Sequence, residues 1–345
     1  MRSLLLPISY LYGAGVFLRN LFFDLGILKS QSVGVTVISV GNLSAGGAGK
    51  TPFVELLVKK LTQRKHRAAV VSRGYKRATT GMLVVSNGNV RCAEASDSGD
   101  EPAQMASKLD GAVVIVDEKR VRGAIYAREK FGADVIVLDD GFQHRYIRRE
   151  VDIVVMPAAE ARQPGRMLPA GNRREPWSSL RRASMIAISR CQSDADFEDA
   201  LEIMRRWSDA PVIGLSTKVS AFRRASTRFS VDLGGLKGKS VMAFSGIGNP
   251  TSFENTLMTL GVNVKKHMVF ADHHAYSANE LKELESTALA LKVDFIVTTE
   301  KDCARIDTAK EEYRSFVDNA PLFYVEIEQN VIRGESILND MIDRL

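Results

Sequence analysis

The segment SAGGAGKT, residues 44–51, follows an apolar run at Val35–Val40 and precedes a stretch of helical periodicity at Phe53–Leu61. Strand, glycine-rich turn and helix in that order form the context of a phosphate-binding P-loop, with Ser44 standing where the usual pattern has its first glycine. Gly46, Gly47 and Gly49, with Ala48 among them, let backbone N–H groups turn inward on a β-phosphate at a helix N-terminus, where the dipole also favours an anion. Lys50 is expected to bridge the β- and γ-phosphates of ATP, and Thr51 to place its hydroxyl on Mg²⁺.

The second half of such a site is an acid at the end of an apolar strand, and DVIVLDD, residues 134–140, supplies Asp139 and Asp140. Adjacent residues of an extended chain point to opposite sides, so one aspartate is expected to ligate Mg²⁺ while the other supports it. SGDEP, residues 98–102, puts Asp100 and Glu101 side by side in an expected loop at the strand carboxyl ends, where α/β proteins bind ligands. Either acid can accept the proton of an attacking hydroxyl, and Glu101 is a further candidate for the metal. Three of the five histidines lie in compact polar clusters, His144 in DDGFQH and His273 with His274 in ADHHAY, which suggests acid–base work in a cleft closed by a second domain. Zinc is disfavoured, because the paired histidines are adjacent and no HExxH or cysteine partner accompanies them.

These groups need a scaffold. Continuous apolar, β-branched runs recur at 35–40, 68–72, 112–116, 134–138, 151–155 and 185–188 with helical segments between them. That alternation predicts a mostly parallel, doubly wound α/β sheet covered on both faces, the core of a P-loop NTPase. Residues 212–235 turn polar and alternating around Arg-Arg-Ala, as in a two-stranded hairpin linker. Runs at 241–245, 294–298 and 322–327, with an amphipathic helix at 280–291, then predict a smaller α/β domain. The expected organisation is an N-terminal helix at 1–30, a P-loop core at 31–211, the hairpin at 212–235 and the smaller domain at 236–345, closing over the nucleotide.

The stretch from Leu4 to Leu28 is apolar and aromatic but broken by Pro7, Arg19, Asn20 and Asp24, so it falls short of the roughly 20 apolar residues of a spanning helix. Leu11, Leu18, Leu21, Phe22 and Leu25 recur at helical spacing, which fits an amphipathic helix lying in a lipid interface, or one packed on its own domain. Arg2 before an apolar run mimics a signal peptide, yet no small-residue cleavage site follows. The three cysteines are scattered and unpaired in sequence, which argues against a disulfide framework and for a reducing compartment. The net charge of +6 is concentrated between Gln143 and Arg190, where ten arginines face four acids. Such a stretch attracts anionic lipid or a phosphorylated substrate. Nucleic acid is not expected, since no binding motif or aromatic interleaving accompanies the arginines.

Together GNLSAGGAGKTP, SRGY (72–75), SGDEP, LDDGFQH, LPAGNRREP (168–176), SGIGNP (245–250), ADHHAY and TTEKD (298–302) resemble the tetraacyldisaccharide 4′-kinase family of lipid A biosynthesis, in order and across most of the chain. Ser44 in place of glycine is usual for that family, whereas Asn172 and Arg173 depart from its pattern. The resemblance implies transfer of the ATP γ-phosphate, with Mg²⁺, to the 4′-hydroxyl of a tetraacyl glucosamine disaccharide 1-phosphate at the cytoplasmic face of the inner membrane. It implies a catalytic dyad of Asp100 and His273, Lys50 and Thr51 on phosphates and metal, and Asp139 with Asp140 as the acid pair. It also places Gln143 and His144 beside the metal site, and Arg174 with Glu175 on the substrate side. Basic residues from Arg120 onward are expected to meet the substrate phosphate. No obligate protein partner is evident in the sequence. The alternative is a membrane-surface switch ATPase acting through protein partners, although TTEKD lacks the N/T-K-x-D spacing of a GTP-binding loop.

Overall fold

The computed structural model describes residues 5–163, 165–306 and 311–345. Arg2 and Leu4 lie outside them. The chain divides into unit 1, Met1–Thr217 with Gln329–Leu345, and unit 2, Lys218–Glu328. The C-terminal 17 residues therefore return to the first unit instead of belonging to the second, as the sequence had led one to expect. The sequence pattern there is only a strand and a helix, and which sheet they join is decided by packing.

Unit 1 begins with α1 (Leu6–Asp24), then runs β1 (Thr36–Gly41), α2 (Lys50–Gln63), β2 (Ala68–Ser72), β3 (Leu83–Asn87), α3 (Ala95–Ser98), α4 (Asp100–Lys108), β4 (Val113–Val116), α5 (Arg120–Phe131), β5 (Val135–Asp139), β6 (Val151–Pro157), α6 (Ala158–Ala161), β7 (Met185–Ser189), α7 (Asp194–Arg205) and β8 (Val212–Arg224). Its strand order is β8-β7-β6-β1-β5-β2-β4-β3. Every pairing is parallel except β3 with β4. Parallel strands put all their carboxyl ends on one side, so the P-loop after β1, SRGY at the end of β2, the aspartates ending β5 and Ser189 ending β7 share that side.

The sheet is buried on both faces, which is why its strands read as unbroken apolar runs. Ile38 and Val40 of β1 pack with Phe53, Leu57 and Leu61 of α2, while Val37 faces the opposite layer with Ala124 and Ala127 of α5. Leu57 is fully buried, and truncating it to alanine costs about 2–5 kcal/mol.

Unit 2 holds the rest of β8, which turns back to pair antiparallel with β9 (Ser230–Val231), Phe222 opposite Val231. β8 begins as a strand of the unit 1 sheet, parallel to β7, and only its far end pairs with β9. Then follow β10 (Ser240–Ser245), α8 (Pro250–Thr259), β11 (Asn263–Val269), α9 (Ala278–Leu291), β12 (Phe295–Thr299), α10 (Glu300–Ala304), α11 (Glu311–Asn319) and β13 (Leu322–Arg333). α12 (Glu335–Asp343) closes the chain in unit 1. β10 lies between β11 and β12, and β12 pairs with β13, all parallel. α9 starts in a full capping box: the Ser277 hydroxyl accepts from the Glu280 backbone, and the Glu280 carboxylate accepts from the Ser277 backbone.

Of the two readings of the N-terminal segment, packing of α1 on its own unit is observed. Its polar side is fastened to unit 1: Ser9 Oγ donates to Met167 O at 3.1 Å, Tyr12 Oη to Arg174 O at 3.2 Å and Asn20 Nδ2 to Glu175 Oε2 at 2.9 Å. Arg19 donates to Gln143 O, and Arg145 pairs with Asp24 at 2.7 Å. Ile8, Leu11, Phe17, Leu18, Phe22 and Leu25 are left exposed. No helix among the described residues is long and apolar enough to cross a membrane.

Candidate active site

The P-loop is built by one glycine in particular. Gly49 caps α2 with φ 86°, in the left-handed region where a side chain is strained. The turn lets Lys50 and Thr51 occupy the first helical positions. Lys50 Nζ reaches Asn42 Oδ1 at 3.2 Å and Asp140 Oδ1 at 3.4 Å. Thr51 is buried. The other edge of the loop is clamped by LPAGNRREP, with Ala45 N donating to Asn172 O at 2.7 Å and Arg174 N to Leu43 O at 2.7 Å, and by α6, where Glu160 Oε2 accepts from Ser44 Oγ at 2.8 Å.

Asp139 ends β5 wholly buried, and Ser72 Oγ donates to its Oδ2 at 2.9 Å. Burial, with Glu101 and Asp140 close by, pushes the Asp139 carboxyl up to about 6. Asp140 behaves in the opposite way. Burial alone would raise it, but Lys50 and Arg174 outweigh burial and hold it below the usual carboxylate range. The expectation that strand alternation separates the two acids is not met: Asp140 has left the strand, with φ 51°, and the turn rather than the pleat redirects it.

Glu101 belongs with these acids by its electrostatic influence on Asp139. It does not lie in a loop, because α4 begins at Asp100, directly after Gly99 with φ 92°. The helix start places Asp100 and Glu101 in the first turn, where the dipole favours carboxylates. α4 is held on α2 by buried Glu55, which accepts from Gln104 Nε2 at 2.8 Å and pairs with Lys108 at 3.5 Å.

Around the far side of the acids lies a cationic group. Arg120 is buried and sits within the field of both Asp139 and Asp140. His144 is pushed down to about 4 by burial and by Arg120, Arg149, Arg19 and Arg73, so it is neutral at neutral pH. Gln143 Nε2 donates to Asn42 O at 2.9 Å, tying DDGFQH back to the residue that follows β1. Arg174 Nη1 donates to Asp140 Oδ2 at 2.7 Å. Glu175 is engaged elsewhere: it is buried and accepts from Arg182 at 2.9 and 3.2 Å and from Asn20 at 2.9 Å. Arg173, the departure from the family pattern, is buried with its guanidinium 3.5 Å above the Trp177 ring centre.

In unit 2, three of the quoted blocks converge on one histidine. His273 has φ 62°, and its N–H donates to Gly246 O of SGIGNP at 3.0 Å. Arg305 Nη2 lies 3.3 Å from His273 Nδ1, while Arg305 Nη1 donates to Gly246 O at 2.8 Å and to Asp302 Oδ1 of TTEKD at 2.7 Å. His274 is used differently, with Nε2 3.0 Å from Glu280 Oε1 and its ring stacked on Phe270.

The residues fit a bound Mg²⁺. Asp139 Oδ1 is buried without a hydrogen-bond partner, Asp140 Oδ1 faces the Lys50 ammonium at 3.4 Å, and a raised carboxyl beside two others calls for a cation. No group of three or more His, Cys, Asp and Glu among the described residues forms a complete metal cage. That suits an ion which keeps waters and substrate phosphate oxygens in its shell.

The whole chain, residues 1–345, matches the family model described as Tetraacyldisaccharide-1-P 4′-kinase. The chain belongs to the tetraacyldisaccharide-1-P 4′-kinase family. The tetraacyldisaccharide 4′-kinase of Chlorobium limicola is 35% identical, over 100% of this chain and 98% of that protein. The one from Anaeromyxobacter sp. strain Fw109-5 is 38% identical over 96% and 88%. The solved structure of LpxK from Aquifex aeolicus in complex with ATP superposes with a TM-score of 0.78 at 33% identity, covering 99% of each chain. This membership makes the chain an ATP-dependent kinase and sets aside the switch-ATPase alternative.

Sequence reading overlooked several residues that hold this kinase site together. Asn42 lay inside a quoted block but carried no assigned role. Ser72 opens SRGY, and a hydroxyl at the end of a strand beside the acid strand was its only signal. Arg305 stands three residues beyond TTEKD, a helical spacing from Asp302 that becomes legible only once α10 is known.

Proposed function

We propose that this kinase phosphorylates the 4′-hydroxyl of a tetraacyl glucosamine disaccharide 1-phosphate, forming lipid IVA, at the cytoplasmic face of the inner membrane. The observation that carries the reading is Lys50 at the start of α2, facing the Asp139–Asp140 pair across the carboxyl ends of the sheet. Lys50 and the amides of the P-loop bind the phosphates, and Thr51, Asp139 and Asp140 hold Mg²⁺ with Glu101 beside them. Bound there, Mg²⁺ supplies charge neutralisation to the transferring phosphoryl group.

Asp100 accepts the proton of the attacking hydroxyl from the first turn of α4. His273 is assigned to the same acid–base step; Arg305 holds its ring, and Gly246 O holds its backbone N–H. Proton transfer of this kind contributes about 10²- to 10⁴-fold. Arg120, Gln143, His144 and Arg174 form the acceptor side. The neutral imidazole of His144 among four arginines leaves the cationic charge there free for an anionic group. The same reading makes Glu175 an indirect contributor, holding Arg182 and α1 in place.

Membrane association rests on α1, which turns its apolar side chains outward while its polar ones grip unit 1. Exposed aromatic and aliphatic residues of that kind enter the lipid interface, and the nearby arginines favour anionic headgroups. Incubating purified protein with γ-labelled ATP, Mg²⁺ and the tetraacyl disaccharide 1-phosphate tests the activity. Label in the lipid is expected, and label only in free phosphate overturns the reading.

A further inference from the structure

Three successive carbonyls of the P-loop are each met from outside by a side-chain donor. Arg190 Nη2 donates to Gly47 O at 2.6 Å, Ser189 Oγ to Ala48 O at 2.7 Å and Gln329 Nε2 to Gly49 O at 3.1 Å. Arg190 stands at the exposed rim, whereas Ser189 and Gln329 are buried. Ser189 ends β7. Gln329 lies on β13 where that strand rejoins unit 1, 280 residues beyond Gly49.

In a trans peptide the carbonyl and the following N–H point in opposite directions, and the P-loop peptides are all trans. Drawing Ala48 O and Gly49 O outward therefore aims the N–H groups of Gly49 and Lys50 to the other side, where a phosphate binds at a helix start. The N–H of Ala48 donates instead to Gly46 O at 3.1 Å, so the anchoring matters most at the two peptides held by Ser189 and Gln329. The Gly49 carbonyl also accepts from Phe53 N at 3.3 Å, and Gln329 is the second donor on the same oxygen. A Cβ at residue 49 would come within 2.8 Å of Gln329 Nε2, so the glycine and the glutamine fit as a pair.

We infer that Gln329 and Ser189 are positioning residues for ATP, which hold the P-loop amides in their phosphate-binding orientation before the nucleotide arrives. The inference rests on the P-loop being the ATP site. Binding to preorganised amides avoids the cost of turning two peptide planes, so losing one anchor weakens ATP binding and leaves the acceptor site intact. Nothing in the motif itself signals either residue, since both act from strands remote in sequence.

The test is steady-state kinetics of the full-length protein with ATP and the lipid acceptor varied independently, in Gln329→Met, Ser189→Ala, Ser189→Thr and Lys50→Ala. Gln329→Met and Ser189→Ala are expected to raise the KM for ATP roughly 3- to 10-fold, the worth of one neutral hydrogen bond, with much smaller effects on kcat and on the acceptor KM. Ser189→Thr keeps the hydroxyl and restores the wild-type value. A KM for ATP within twofold of wild type in Gln329→Met or in Ser189→Ala overturns the assignment for that residue, as does an equal shift of both KM values. If Gln329→Met fails to fold, Ser189→Ala and Ser189→Thr decide the matter, and equal KM values in those two overturn the inference. Lys50→Ala separates this from the underlying reading: retained transfer there removes the P-loop from the ATP site altogether.

Discussion

Arg174 Nη1 sits 2.7 Å from Asp140 Oδ2 while Lys50 Nζ sits 3.4 Å from the other oxygen of the same carboxylate. One acid of the proposed metal pair is thus shared by a P-loop lysine and an arginine of the LPAGNRREP block. The two cations explain why the Asp140 carboxyl is held below the usual carboxylate range while that of Asp139, which accepts from Ser72 Oγ, is pushed up. In the proposed site Arg174 would compete with Mg²⁺ for Asp140. Arg174→Ala is expected to lower kcat at least tenfold through loss of charge at the transferring group, while also lowering the Mg²⁺ concentration needed for half-maximal rate. Mg²⁺ titrations of the rate check this, and a raised requirement would count against it.

Asp139 sets function against stability. An unfolded aspartate ionises near 3.8, but in the fold this one ionises only near 6. Between those values the unfolded state has released a proton that the native state keeps, so the metal-free protein loses stability as pH rises through that window and remains lower above it. Asp139→Asn is therefore expected to stabilise the metal-free protein at pH 7.5 by up to about 3 kcal/mol. The same change abolishes phosphate transfer. Denaturation with and without Mg²⁺ checks the first part, and a destabilised variant contradicts it.

His144 has the opposite pH signature. Its imidazole takes a proton near 6.5 when unfolded and only near 4 in the fold. The stability contributed by keeping it neutral is complete above 6.5 and is lost as pH falls through the folded value. His144→Asn is expected to show a shallower loss of melting temperature than wild type between those pH values. Parallel slopes for the two proteins would refute the assigned environment.

Glu175 distinguishes a structural from a substrate-contacting role. Its carboxylate is buried against the forked guanidinium of Arg182 and against Asn20 of α1. Glu175→Ala leaves the half-buried Arg182 without its carboxylate partner and is expected to cost about 1–3 kcal/mol in urea denaturation. Vesicle binding should weaken alongside it if α1 is loosened. Unchanged stability with impaired acceptor KM would return Glu175 to the substrate surface.

Asp100→Asn is expected to lower kcat by about 10²- to 10⁴-fold with little change in KM for ATP. His273→Ala should lower kcat in the same direction, and Arg305→Met by less, because Arg305 acts on the ring rather than on the acceptor. Full activity in Asp100→Asn removes it from the proton-transfer step.

The sequence by itself determined the parts that are local. A P-loop is contiguous, so SAGGAGKT between a β-branched run and a helical period identified the phosphate site, and the six predicted strands of the core lie within two residues of the observed β1, β2, β4, β5, β6 and β7. Unbroken apolar strands can be buried only in a covered parallel sheet, which gave the fold class as well.

What the tertiary structure decided is everything that depends on residues remote in the chain meeting. β3 could not be recognised as an antiparallel edge from five residues of mixed burial. SGDEP turned out to be a helix start, because Gly99 adopts a conformation that lets α4 begin at once. The C-terminal strand and helix rejoined unit 1, carrying Gln329 to the P-loop. Most of all, the charge states of Asp139, Asp140 and His144 are properties of neighbourhoods. Periodicity records which face a residue turns inward, but the energy of an ionised group depends on how much water it has lost and which charges stand within a few ångströms, and only folding fixes those distances.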